Sequence, residues 1–184
     1  VKGLLKNAEA FVDTDGDGAW TSGVDSDKVR TAEDGSFSIV TDLTGDIVVQ
    51  TDESTIDASS GAVLAGITMS AMAGSSVVSV ATTITNELVD AATTAGNTLS
   101  QADAEAQVKA ILGISATVDV ASYNPYASAN AGSTAAVEFE KAAQQVMTVI
   151  NTLAEAEATT NIGTSVSKSA AISNAITAFV DVVE

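Results

Sequence analysis

The chain has 184 residues, of which 24 are acidic and seven basic, for a formal charge of −17. Such a balance excludes nucleic acid and anionic membranes as partners, because both need a positive face. With no Cys and no His, disulfides, the usual zinc sites and Cys–His or Ser–His nucleophilic catalysis are excluded within these residues.

The length suits one ordinary domain or two small ones. Hydrophobic residues make up 46% and aromatics only 4%; most of the former are Ala and Val, so the core fills with small side chains in close contact. The sequence begins at Val1 without a methionine or targeting signal, and we read it as a piece of a longer protein. It contains no run of 18 apolar residues, so no membrane insertion is expected. Thirteen of the 24 acids lie within residues 1–57, so the negative charge gathers in the N-terminal third.

The first 80 residues read as β. Short apolar or alternating runs occur at "AEAFVD" (8–13), "KVRT" (28–31), "SFSIV" (36–40), "DIVVQT" (46–51), "VLAGITMSAM" (63–72) and "SVVSV" (76–80). Turn-formers such as "DTDGDG", "AEDGS", "DLTGD" and "DASSG" separate them. This spacing predicts a small antiparallel sandwich.

Beyond Val80 the period changes to about 3.6. Ile84, Leu88 and Ala92 mark a first helix that Gly96 stops, and Ser100 caps a second that ends at Gly113. "ISATVDVASYNPYASANAG" (114–132) is irregular and holds Pro125, the single proline. A third helix begins near Ser133 and carries Val137, Val146, Ile150 and Leu153, with Phe139, Ala143 and Met147 alongside. A fourth, from about Ser165, carries Val166, Ile172, Ile176, Phe179 and Val183. The expected fold is therefore α+β: a small antiparallel β-sandwich over 1–80, then a bundle of about four helices over 81–184 packed on it.

"FVDTDGDGAW" (11–20) is the one dense chemical signal. Three aspartates at alternate positions repel one another unless a cation joins them, and an all-oxygen set selects a hard ion, Ca²⁺ above all. Asp13, Asp15, Asp17 and Gly18 fall at positions 1, 3, 5 and 6 of an EF-hand-like loop, with the backbone carbonyl of Ala19 at position 7. Trp20 reads as packing, and Thr21 at position 9 can bind directly or through water. Val24 stands at position 12, where the motif has Glu, so Asp25 and Asp27 just beyond are the candidates that close the shell. Modules of this kind often bind only at about 10⁻⁴ to 10⁻³ M, an extracellular range. Asp42 with Asp46, and Asp52 with Glu53 and Asp57, offer a second acidic group, for which solvated loops are the favoured reading.

These residues resemble the start of B-type, transthyretin-like β-sandwich modules of bacterial surface adhesins. Such modules open on a glycine-led strand, continue as "A-x-V-F-x-D-x-(N/D)-x-(N/D)-G" and then give "T-(D/N)-x-(D/N)-G-x-(Y/F)-x-(L/I)". The matching positions are Gly3, Ala10, Phe11, Asp13, Asp15, Asp17 and Gly18, then Thr31, Asp34, Gly35, Phe37 and Ile39. The stretches from Ala81 ("ATTITNELV"), from Leu99 ("LS…VKAILGI") and from Val118 ("VDV…YNPY") are similar to a helical segment of very long, repeat-rich, calcium-dependent adhesins of Gram-negative bacteria. The resemblance implies an RTX-type adhesin module at the cell surface, a Ca²⁺ ion at Asp13, Asp15 and Asp17, and neighbouring domains of the same long chain as partners. It implies no catalysis.

The expected function is thus a non-catalytic extracellular spacer or ligand-presenting unit, rigidified by calcium, in bacterial attachment and biofilm. The alternative is a specific peptide- or carbohydrate-binding domain of the same kind of adhesin, with Tyr123, Asn124 and Tyr126 as a recognition loop. A hydrolase that uses Asp25 and Asp27 as acid and base is the weaker reading, because a sugar cleft wants aromatic platforms that this chain lacks.

Overall fold

The structure, a computed structural model, describes residues 4–160. Its centre is a four-stranded antiparallel sheet in the order β3 (Val29–Arg30), β2 (Glu9–Asp13), β4 (Asp46–Gln50), β6 (Thr68–Ala71). A second, two-stranded sheet pairs β1 (Leu5–Lys6) with β5 (Ile56–Asp57). The β-branched run Ile47–Val48–Val49 lines up against β2, with Phe11 opposite Val48 and Asp13 opposite Asp46. Phe11 and Val48 are buried on one side of this pair; Ala10 and Val49, one residue along, face the other and join the main core.

Three helices follow among the described residues: α1 (Val80–Thr94), α2 (Gln101–Leu112) and α3 (Thr134–Thr160). Ser79 caps α1, accepting from the Thr82 N–H while Thr82 returns a bond to the Ser79 backbone. The run "TTITN" also explains how the sheet ends. The Ser70 N–H of edge strand β6 donates to Thr83 Oγ1 (3.0 Å), and Thr82 Oγ1 donates to the Ser70 carbonyl (2.9 Å). Helix α1 therefore satisfies strand groups that an open edge would expose. Ser100 caps α2, and the Ser133 hydroxyl accepts the Ala136 N–H at the start of α3.

One hydrophobic cluster joins both halves of the chain. Ala10, Val49 and Met69 from the sheet meet Ile84 and Leu88 of α1, Ala104 and Val108 of α2, and Phe139 and Val146 of α3.

A sandwich followed by a bundle of about four helices is not what forms; the described residues build two small antiparallel sheets and three helices. "SFSIV" enters no ladder, and its Phe37 and Ile39 pack half-buried against the core from a loop. "SVVSV" is likewise no strand, because the Ser79 cap turns its last residue, Val80, into the first of α1. Helix α1 lies on β6 and α2 rather than in a helix-only bundle. In α3 the buried stripe is Ala136, Phe139, Ala142, Val146 and Met147, whereas Val137 is 57% exposed. The helix expected from Ser165 lies outside the described residues.

A shared core predicts shared unfolding. Ile84, 1% exposed between sheet and helices, should cost about 2–5 kcal/mol when cut to Ala. In urea, fluorescence of Trp20 (the single Trp) and helical ellipticity should shift together; two separated transitions would show that the halves fold apart.

Candidate metal centre

The acidic loop grows out of the last residue of β2. Asp13 is 3% exposed, and its two oxygens accept the N–H groups of Gly16 and Gly18, each at 2.8 Å. These bonds fold the chain back over the strand end, and Gly18 takes φ +71°, a conformation that costs a glycine little. Asp17 accepts the Ala19 N–H at 2.7 Å, so Ala19 enters the loop as a donor to a neighbouring carboxylate. Asp15 and Asp17 are exposed. One oxygen from each of Asp13, Asp15 and Asp17 lies within 4.8 Å of the other two, a group that could hold a metal ion. Partial desolvation, and then the charge of Asp17, push the Asp15 carboxyl pKa up from its ordinary value.

The other two predicted ligands are placed differently. Asp25 is buried beside the loop but stands outside that three-carboxylate group. Its Oδ1 accepts the Thr14 N–H at 2.9 Å and its Oδ2 accepts the Thr21 N–H at 2.6 Å. These two backbone donors hold its pKa below the usual carboxylate range. Asp25 thus ties the two arms of the loop together. Asp27 is exposed and also stands outside the group.

Further clamps fix the loop to the sheet. Ser26 exchanges bonds with the Val12 backbone, its hydroxyl accepting at 2.8 Å and its N–H donating at 3.1 Å. Gln50 of β4 donates to the Gly18 carbonyl at 2.8 Å. Trp20 donates to the Ser26 carbonyl at 2.9 Å, with Lys28 4.6 Å above its ring. Gly45 lies so close that a Cβ there would sit 1.8 Å from the Asp13 carbonyl oxygen, which explains the glycine in "DLTGD".

Among the described residues no ion pair reaches the cluster. Among the described residues, Lys6 pairs with Glu33, Lys28 with Glu9, and Arg30 with both Glu9 and Asp52. The acids at 52 and 57, offered by the sequence as part of a second group but favoured as solvated loops, take separate partners. Asp52 is spent on Arg30 and Ser54, and Asp57 accepts from Ser59.

A neighbouring acidic feature escaped the sequence reading. Asp46, opposite Asp13 in the ladder, accepts from Asn86 of α1 at 2.7 Å. Asp46, Glu87 and Asp90 share with Asp13 and Asp17 the wall of a cavity of about 300 Å³. Burial, then the Asp90 charge, raise the Glu87 pKa; burial, then the Asp46 charge, raise that of Asp90. The i, i+3 spacing of Glu87 and Asp90 puts them on one helix face, but only the packing of α1 turns that face toward the loop.

Compared with known proteins, the chain matches no family model, no curated protein and no solved structure.

The depressed pKa of Asp25 has a definite sign. Its stabilising effect is full above the unfolded value of 3.8 and is lost as pH falls through the lower folded value. In chelator at pH 7, Asp25→Asn should therefore lower the melting temperature, and that deficit should shrink below about pH 3.8. A deficit unchanged at pH 2.5 would show that the side chain acts through its shape alone.

Proposed function

We propose that the protein is a non-catalytic extracellular module of a large bacterial adhesin, stiffened by a calcium ion at Asp13, Asp15 and Asp17. The observation that carries this reading is the convergence of three carboxylates on one point with every nearby ion pair of the sheet directed elsewhere. An all-oxygen donor set favours a hard cation, and a seven- or eight-coordinate ion tolerates the irregular loop better than octahedral magnesium does. The backbone carbonyl of Ala19 and water complete the shell in this reading, since Asp25 stands outside the three-carboxylate group.

The ion's role is mechanical. It neutralises the cluster, and the loop it fixes is continuous with β2 through Asp13 and bonded to β4 through Gln50. Stiffness gained in the loop is thus transmitted to the central sheet and to neighbouring domains of the same chain. A spacer or ligand-presenting unit in cell attachment needs that property and no reaction centre. The engagement of Asp25 by backbone donors favours this role over the hydrolase reading.

Calcium that binds only the folded form stabilises it by about 2.7 kcal/mol at 100 times Kd. The melting temperature should rise by several degrees between chelator and about 10 mM calcium, while Asp15→Ala should show no such rise. Equal melting temperatures for the unmodified chain in the two buffers would remove the proposal.

A further inference from the structure

A second, larger cavity of about 540 Å³ lies between the central sheet, the turn at residues 34–37, the start of α1, the 124–126 loop and α3. Its size is that of a small-molecule site. Buried Leu5, Val49, Met69 and Phe139 make its inner wall apolar. Asp34 and half-buried Glu140 are its charged lining residues, and no Lys or Arg lines it among the described residues.

The 124–126 wall is preformed. Pro125 is buried, Asn124 Oδ1 accepts the Tyr126 N–H at 2.9 Å, and Asn130 donates to the Asn124 carbonyl at 2.8 Å. Tyr123 packs on Phe139 with ring centroids 5.6 Å apart. The two tyrosines of "SYNPY" therefore divide their work: Tyr123 belongs to the core, and Tyr126 lines the cavity, 38% exposed. Desolvation first, then the charges of Glu140 and Asp57, push the Tyr126 phenol up to about 12.

A pocket with an apolar inner wall, two acids and no counter-cation among the described residues suits one kind of guest. We infer that this cavity binds a small apolar amine, its hydrocarbon part against Met69 and Phe139 and its ammonium group beside Glu140 and Asp34. An anion meets repulsion there, and a neutral analogue forgoes the charge-assisted bond to Glu140. The inference is independent of the calcium reading.

The test is an amide NMR titration of the full chain in 10 mM calcium, which satisfies the acidic loop, with phenethylamine, 2-phenylethanol and phenylacetate as probes. Phenethylamine should shift the amides of Leu5, Met69, Tyr126 and Phe139 saturably, the alcohol should bind at least about tenfold more weakly, and phenylacetate should shift nothing. That tenfold is about 1.4 kcal/mol. Glu140→Gln should weaken the amine by a similar factor and leave the alcohol unchanged; Asp34→Asn, on an exposed turn, gives the same readout if the helix variant folds poorly. Equal affinity for amine and alcohol, amine shifts confined to residues 13–27, or no saturation by about 50 mM would each overturn the inference.

Discussion

Repulsion among three carboxylates held within one small loop is the constraint around which this protein is built. Asp13 is fixed because it ends a central strand and is buried, with two glycine N–H groups on its oxygens. Its position brings Asp15 and Asp17 close by simple chain geometry. The loop cannot relax by opening, because Asp25, Ser26, Gln50 and Trp20 each tie it to another part of the sheet or to itself. The protein thus holds negative charge in place with neutral donors and leaves positive charge to come from outside. An ion that enters such a loop gains from contacts already arranged, so little of its binding energy is spent on ordering the chain.

The same arrangement links the loop to the helical half. Asp46 stands opposite Asp13 and is held by Asn86, while threonines of α1 bond the backbone of β6 beside it. A helix that buries Thr82, Thr83, Thr85 and Asn86 would be poorly placed against a purely apolar surface. Here Thr82, Thr83 and Asn86 meet the strand edge at Ser70, while Thr85 bonds back to the Ala81 carbonyl of its own helix, which accounts for both the polar face of α1 and the safe ending of the sheet. Sheet, loop and helix form one mechanical unit around one core.

How much of this could be read from residues alone depends on how local the cause is. The strands at 9–13 and 46–50, the cap at Ser100 and the close approach of Asp13, Asp15 and Asp17 follow from short patterns with a near-neighbour explanation. Failures came where a distant partner decides. "SFSIV" alternates like a strand, yet no free edge receives it, and Phe37 and Ile39 pack from a loop instead. Nothing in the local sequence shows that Asp25 accepts the Thr14 and Thr21 N–H groups and so ties the two arms of the loop together. Glu87 and Asp90 carry no local signal of a shared cavity, because nothing in the sequence says that α1 faces Asp46. Tyr126 could not be told from Tyr123 until α3 supplied one of them with a ring to pack on.

The central claim is that a calcium-like ion sits among Asp13, Asp15 and Asp17, and terbium luminescence tests it most directly. Tb³⁺ is an oxygen-seeking stand-in for Ca²⁺, and Trp20, three residues beyond Asp17 in the same loop, is placed to sensitise it. Excitation of the tryptophan should give saturable terbium emission that millimolar calcium displaces, that magnesium displaces far less well, and that Asp15→Ala abolishes. Emission no stronger than that of the variant, or emission that calcium leaves unchanged, would contradict the account.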